Sequence, residues 1–119
     1  MRRGDTFVGG GEIHGEHHLW VIINDPPAHN DVALIVNVST LRPNAETTSI
    51  LAPDEHPFIK HDSYVRYASA RGADVTNLAA ALKKGLLKPH QAASRAFLEK
   101  LRMGAQASPH LAVELRALL

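Results

Sequence analysis

Two apolar runs joined by a proline-bearing turn constrain this chain most. His18-Leu19-Trp20-Val21-Ile22-Ile23-Asn24 and Val32-Ala33-Leu34-Ile35-Val36-Asn37-Val38 have strand length and fall far short of a membrane span. The first is apolar at odd and even positions alike, which predicts a strand covered on both faces, and the second is rich in Val and Ile. Between them, Asp25-Pro26-Pro27-Ala28-His29-Asn30-Asp31 must turn, because neither proline can donate to a sheet ladder. Asp5 to Val8 reads as a strand before this pair, Thr47 to Leu51 and Ser63 to Ala68 as strands after it. Short strands separated by turn chemistry, with no helix among them, predict a mainly β fold: an antiparallel meander or small barrel of about five strands.

Past Arg71-Gly72-Ala73 the apolar period changes from two to near 3.6. Leu78, Ala81 and Leu82 share a helical stripe, with Asp74 or Thr76 as N-cap and Gly85 as stop. A second helix is expected from Pro89 or Ser94 to Met103, carrying Phe97 and Leu101 four apart. Ser108-Pro109 predicts the opening of a third, through Leu111, Leu115 and Leu118. The expected organisation is a β-barrel over residues 1–74 and a helical extension over 75–119.

Charge divides the same way. Residues 1–74 hold six Lys/Arg against ten Asp/Glu, a balance of −4, and residues 75–119 hold seven against two, a balance of +5. An acidic β part argues against broad nucleic-acid binding but leaves room for a local basic patch. At 119 residues, 45% of them apolar, the chain fits one modest globular domain rather than a disordered segment. With no cysteine, disulfides, thiolate metal sites and cysteine nucleophiles are excluded, which fits a cytoplasmic setting. Met1-Arg2-Arg3 leads into a strand and glycines rather than an apolar stretch, so neither a secretory signal nor a membrane segment is expected.

The chemistry concentrates in three places. The run His56-Pro57-Phe58-Ile59-Lys60-His61-Asp62-Ser63-Tyr64-Val65-Arg66-Tyr67-Ala68 crowds two imidazoles, an ammonium, a guanidinium and two phenols into thirteen residues. His56 precedes a proline, so its backbone is held extended and its ring position restricted. Strand alternation would set Val65 toward the core and pair Tyr64 with Arg66 on the other face. His18 opens the second strand with Trp20 on the same face, and Ser39-Thr40 closes the third. Imidazole exchanges protons near neutral pH, and a nearby cation offsets charge on a phosphodiester. The bland alternatives are a rim histidine at 18, a turn-closing Ser/Thr pair at 39–40, a solvated Arg42 and a loop anchor at 56–64. His14, Glu16, His17 and His18 could be read as metal ligands, but the glycines from Gly9 to Gly11 predict a loop too irregular to frame them, and no metal site or cofactor is assigned. His90 and His110 are expected to be structural, in the first turns of helices.

Gly4-Asp5-Thr6-Phe7-Val8, the strands His18–Pro26 and Val32–Thr40, and the His56–Tyr67 run together resemble the PemK/MazF-like toxins of bacterial type II toxin–antitoxin systems, in a divergent branch with a similar His-Pro-Phe-Ile…Ser-Tyr-Val run. The resemblance spans roughly residues 4–68. It implies an SH3-like barrel, a homodimer, an antitoxin protein as partner, and metal-independent cleavage of single-stranded RNA by 2′-hydroxyl attack. Thr40 matches the Ser/Thr that contacts the scissile phosphate. Members typically carry an Arg-Pro dipeptide entering the second strand, and His17-His18 stands in its place here. The expected catalytic set is therefore His18, Thr40, His56 and Lys60, with Trp20, His61, Tyr64 and Arg66 binding substrate and His18 and His56 sharing the acid and base roles. The competing expectation is a non-catalytic interaction module on the same barrel.

Overall fold

The computed structural model describes residues 1–9 and 17–119, so the predicted glycine loop past Gly9, with His14 and Glu16, lies outside the described residues, while Gly9 itself ends a strand. Seven antiparallel strands form one sheet: β1 (Thr6–Gly9), β2 (His18–Ile22), β3 (Val32–Thr40), β4 (Ile50–Leu51), β5 (Ser63–Val65), β6 (Arg71–Asp74) and β7 (Leu87–His90). Among the described residues three α-helices accompany them: α1 (Val75–Lys83), α2 (Arg95–Ala107) and the short α3 (Val113–Arg116). None of these helices is long and apolar enough to cross a membrane.

The central pair is the one the apolar runs predict, with Leu19 opposite Val38 and Ile22 opposite Ile35. The intervening turn places Asn30 and Asp31 in the left-handed region, φ 55° and 60°, which these short polar side chains tolerate better than most. β3 is long enough to serve two partners along its other edge: Val32–Ile35 pairs β6, and Val38–Thr40 pairs β5. The strand path runs β4-β5-β3-β2-β1-β7, with β6 beside β3. Among the described residues its two ends, β4 and β7, are not paired with each other. The sheet is therefore open, and the expected closure into a five-stranded barrel is not made by these pairings.

Both faces of the central pair are covered, which explains why apolar residues occur on both. On one face Leu19, Val21, Leu34, Val36, Val38 and Val65 meet Phe97, Leu101 and Ala105 of α2. These three helical positions recur at four-residue spacing, so a single face of α2 enters the core. Phe97 is 2% exposed, and burial of such a side chain contributes about 2–3 kcal/mol. On the opposite face Phe7, Trp20, Ile22, Ala33 and Ile35 lie under Leu78 of α1. Ser94 caps α2 by accepting from the Phe97 amide at 3.1 Å, and Asp74 caps α1 by accepting from Thr76 at 2.8 Å.

The C-terminal half departs from the expected pattern. β7 lies inside the segment read as a helical extension and pairs with β1, Thr6 opposite His90 and Phe7 opposite Pro89. Pro89 suggests a helix start, yet β7 is an edge strand, where a missing amide is tolerated. β6 is missed because Arg71-Gly72-Ala73-Asp74 has no apolar alternation. Gly72 sits close beneath the C-terminal segment, where an added Cβ would stand 3.3 Å from a Leu118 methyl. Ser108-Pro109 does not open a helix. Ser108 ends α2, its hydroxyl donating to Glu46 Oε2 at 2.9 Å and accepting from the His110 amide at 3.1 Å. Arg116 then donates to the Gln106 carbonyl at 3.0 Å and to the Ser108 carbonyl, satisfying acceptors at the end of α2. His90 and His110 accordingly lie in a strand and a turn rather than in helix first turns.

Candidate functional site

The exit of β3 and the entry of β2 meet at one end of the sheet. The antiparallel register sets Leu19 against Val38, so the preceding His18 falls beside Ser39, with Nδ1 3.5 Å from the Ser39 hydroxyl. That distance is contact with at most a weak hydrogen bond. Across β3's other edge, Thr40 opposes Ser63, and the ladder continues one step through the Leu41 amide to the Asp62 carbonyl at 2.9 Å. Just past this rung, Arg42 borders the same hollow as Lys60 and His61. The Ser63 hydroxyl donates to the His61 carbonyl at 2.8 Å and braces that bend.

A hollow of about 440 Å³ opens between these segments, lined by His17, His18, Ser39, Thr40, Arg42, Lys60 and His61 over a floor that includes Val38 and Ile59. Two cationic side chains and three imidazoles face it, and no carboxylate is among its lining residues within the described part of the chain. Within an acidic β part it is a local basic patch. Thr40 and Lys60 are exposed, Ser39 is buried, and His18 is partly covered. The donor set fits an oxyanion: a guanidinium, an ammonium and hydroxyls to hold it, and imidazoles to move protons beside it.

Four of the expected residues therefore come together: His18, Thr40, Lys60 and His61. His56 does not join them. It is 3% exposed and borders a separate shallow hollow of about 340 Å³ with Pro53, Asp54, Gln91 and Ser94. Its backbone is extended as the following proline demands, φ −157° and ψ 144°, and the ring lies inward against Phe97 rather than toward the basic hollow. Both ring nitrogens are occupied, Nε2 by the Gln91 carbonyl at 2.7 Å and Nδ1 by the Phe58 amide at 3.1 Å. Burial lowers its pKa below the usual histidine value, the Gln91 carbonyl opposing and nearby His90 adding to the effect.

Trp20, Tyr64 and Arg66 also lie outside the hollow. Trp20 packs in the α1-side core, its indole donating to the Gly9 carbonyl at 3.3 Å with the Arg71 guanidinium 5.2 Å over its ring. Tyr64 is 5% exposed, so it is no outward-facing platform. β5 ends at Val65, Tyr67 is buried in the core, and Arg66 is left exposed at the start of a 3-10 turn. Ser39, Arg42 and His17 line the hollow without having been assigned to it. Arg42 reads as a solvated loop residue in sequence, and only the Leu41–Asp62 rung reveals its place. Among the described residues, no group of three or more His, Asp or Glu gathers as metal ligands. No protein-family model and no curated protein matches this chain.

Proposed function

We propose that the chain is a toxin-like, metal-independent endoribonuclease acting on single-stranded RNA. The observation that supports it is the hollow in which His18, His61, Thr40, Arg42 and Lys60 converge, with no carboxylate among its described lining residues. In this reading His18 takes the proton from a ribose 2′-hydroxyl, and the oxygen attacks the adjacent phosphorus. The bond from phosphorus to the 5′-oxygen breaks, and His61 returns a proton to that leaving oxygen. The products are a 2′,3′-cyclic phosphate and a 5′-hydroxyl end. Thr40 and Ser39 orient the non-bridging oxygens, while Lys60 and Arg42 offset the charge that builds on them. His61 thus replaces His56 as the second proton carrier.

The finer architecture in this reading is SH3-like, supported by the β1-β2-β3 meander whose last strand, β7, returns to the free edge of β1. A homodimer and an antitoxin partner belong to the same proposal, as does action in the cytoplasm. The test is incubation of the purified chain with single-stranded RNA in chelator across a range of pH. Cleavage leaving cyclic phosphate ends, lost in Thr40→Ala and His18→Ala, upholds the proposal. Intact RNA at every pH, with a folded protein, overturns it in favour of an interaction module.

A further inference from the structure

The protonation state of His56 is fixed by its neighbours. A carbonyl can only accept, so Nε2, 2.7 Å from the Gln91 oxygen, carries the proton. The Phe58 amide donates to Nδ1 at 3.1 Å, so that nitrogen carries none. The same Gln91 carbonyl accepts from the Thr6 hydroxyl of β1 at 2.8 Å, and the Gln91 amide donates to Nδ1 of His90 at 2.8 Å. One backbone unit just past β7 thereby ties β1, β7 and the 56–58 segment together.

A second proton on His56 has only Nδ1 to go to, where it would meet the Phe58 N–H head on. The hydrogen bond would become an opposition of two donors. The resulting cation would sit with its ring centre 5.1 Å from that of His90 and 5.7 Å from that of Phe97. The charged groups bordering the same hollow are Asp54 and Glu55 on the preceding turn, and Glu55 is already bound to Lys100 of α2 at 2.9 Å. The lowered pKa agrees with this geometry.

Phe58, Ile59, Lys60 and His61, which begin at that amide, form one wall of the basic hollow. We propose that His56 is a positioning residue for the hollow: its neutral ring locks the Phe58–His61 wall, and its protonation frees the Phe58 amide and loosens that wall. The lock itself needs no RNA, although its consequence for catalysis rests on the ribonuclease reading.

Hydrogen exchange on the full chain tests the lock, with amide rates corrected for their intrinsic pH dependence. As the pH is lowered from about 7.5 to about 4.5, protection across Phe58–His61 is expected to fall roughly tenfold, the net worth of one lost hydrogen bond, with the fall confined to values below 6.5, while α1 amides keep theirs. His56→Gln is expected to show weakened, pH-independent protection there, with α1 protection reporting that it folds. Unchanged wild-type protection of Phe58–His61 across that range overturns the proposal whatever the variant does. Persistence of the acid-induced loosening in folded His56→Gln overturns it equally. RNA cleavage, read separately, decides the ribonuclease proposal, so either can fail alone.

Discussion

The phenol of Tyr67 occupies the space that a side chain at Gly104 would need. A Cβ at position 104 would land on the Tyr67 oxygen and the Ser49 hydroxyl, with the ring's Cζ only 3.0 Å away. The absence of a side chain on α2 is what lets the helix lie against the sheet at this point. Gly104→Ala gains up to about 1 kcal/mol of helix propensity but forces overpacking that costs about 1–3 kcal/mol. A net loss of stability in urea is the expected outcome. An unchanged or raised midpoint would show that α2 can back away without penalty.

Tyr67 itself is fully buried, its hydroxyl 2.9 Å from Ser49 Oγ and donating to the Leu101 carbonyl at 2.8 Å. Tyr67→Phe should fold and lose about 1–2 kcal/mol, because the Ser49 hydroxyl is stranded as well. Burial pushes the phenol from 10.0 up to about 12, with Ser49 opposing the shift and Glu46 adding to it. The unfolded chain releases this proton first as the pH rises. The stabilisation is therefore complete below pH 10 and is lost on the way toward 12. Tyrosinate absorbance followed beside circular dichroism should show this phenol ionising only at high pH or on unfolding.

His56 acts at the other end of the pH scale. Its neutral form is favoured in the fold, so the unfolded chain takes up protons more readily once the pH drops below 6.5. Its contribution is complete above that value and is lost as the pH falls further. Wild-type stability should decline through this window with a slope that His56→Gln shares only weakly. Equal slopes in the two proteins would place the acid sensitivity elsewhere.

On the proposed reaction, His18→Ala is expected to lower the cleavage rate by about 10²–10⁴, the usual range for a lost general base. Thr40→Ala should cost about 10²-fold, since its hydroxyl would contact the oxyanion. Neither residue is part of the core, so melting temperatures should hardly move. Trp20→Phe should leave the rate within a few-fold, because the indole is packed beneath Arg71 rather than in the hollow. A large rate loss for Trp20→Phe with normal stability would reopen its role as a stacking platform.

The sequence exposes the central sheet plainly, because Val32–Val38 and His18–Asn24 are rich in apolar residues and have strand length. It also yields the α1 and α2 caps, since Asp74 and Ser94 are the residue types that accept from orphan amides. β6 and β7 stay hidden, because a four-residue strand with glycine or proline has no local signature and exists only through its partner. The site shows the same division. His18 and Thr40 stand at strand ends and can be placed by register, whereas Arg42 needs the long-range Leu41–Asp62 rung. His56 misleads for a physical reason: an extended pre-proline backbone fixes a ring without saying which way it faces.

The pairing of β7 with β1 has a consequence for biosynthesis. Residues 6–9 leave the ribosome before residues 87–90, yet their outer edge is met only when those later residues have been made. Until then a nascent sheet of Val- and Ile-rich strands carries an uncapped border, open to any extended peptide nearby. Translation speed through the α1 segment, rather than the intrinsic folding rate of the central hairpin, would then govern how long the newborn chain is prone to self-association.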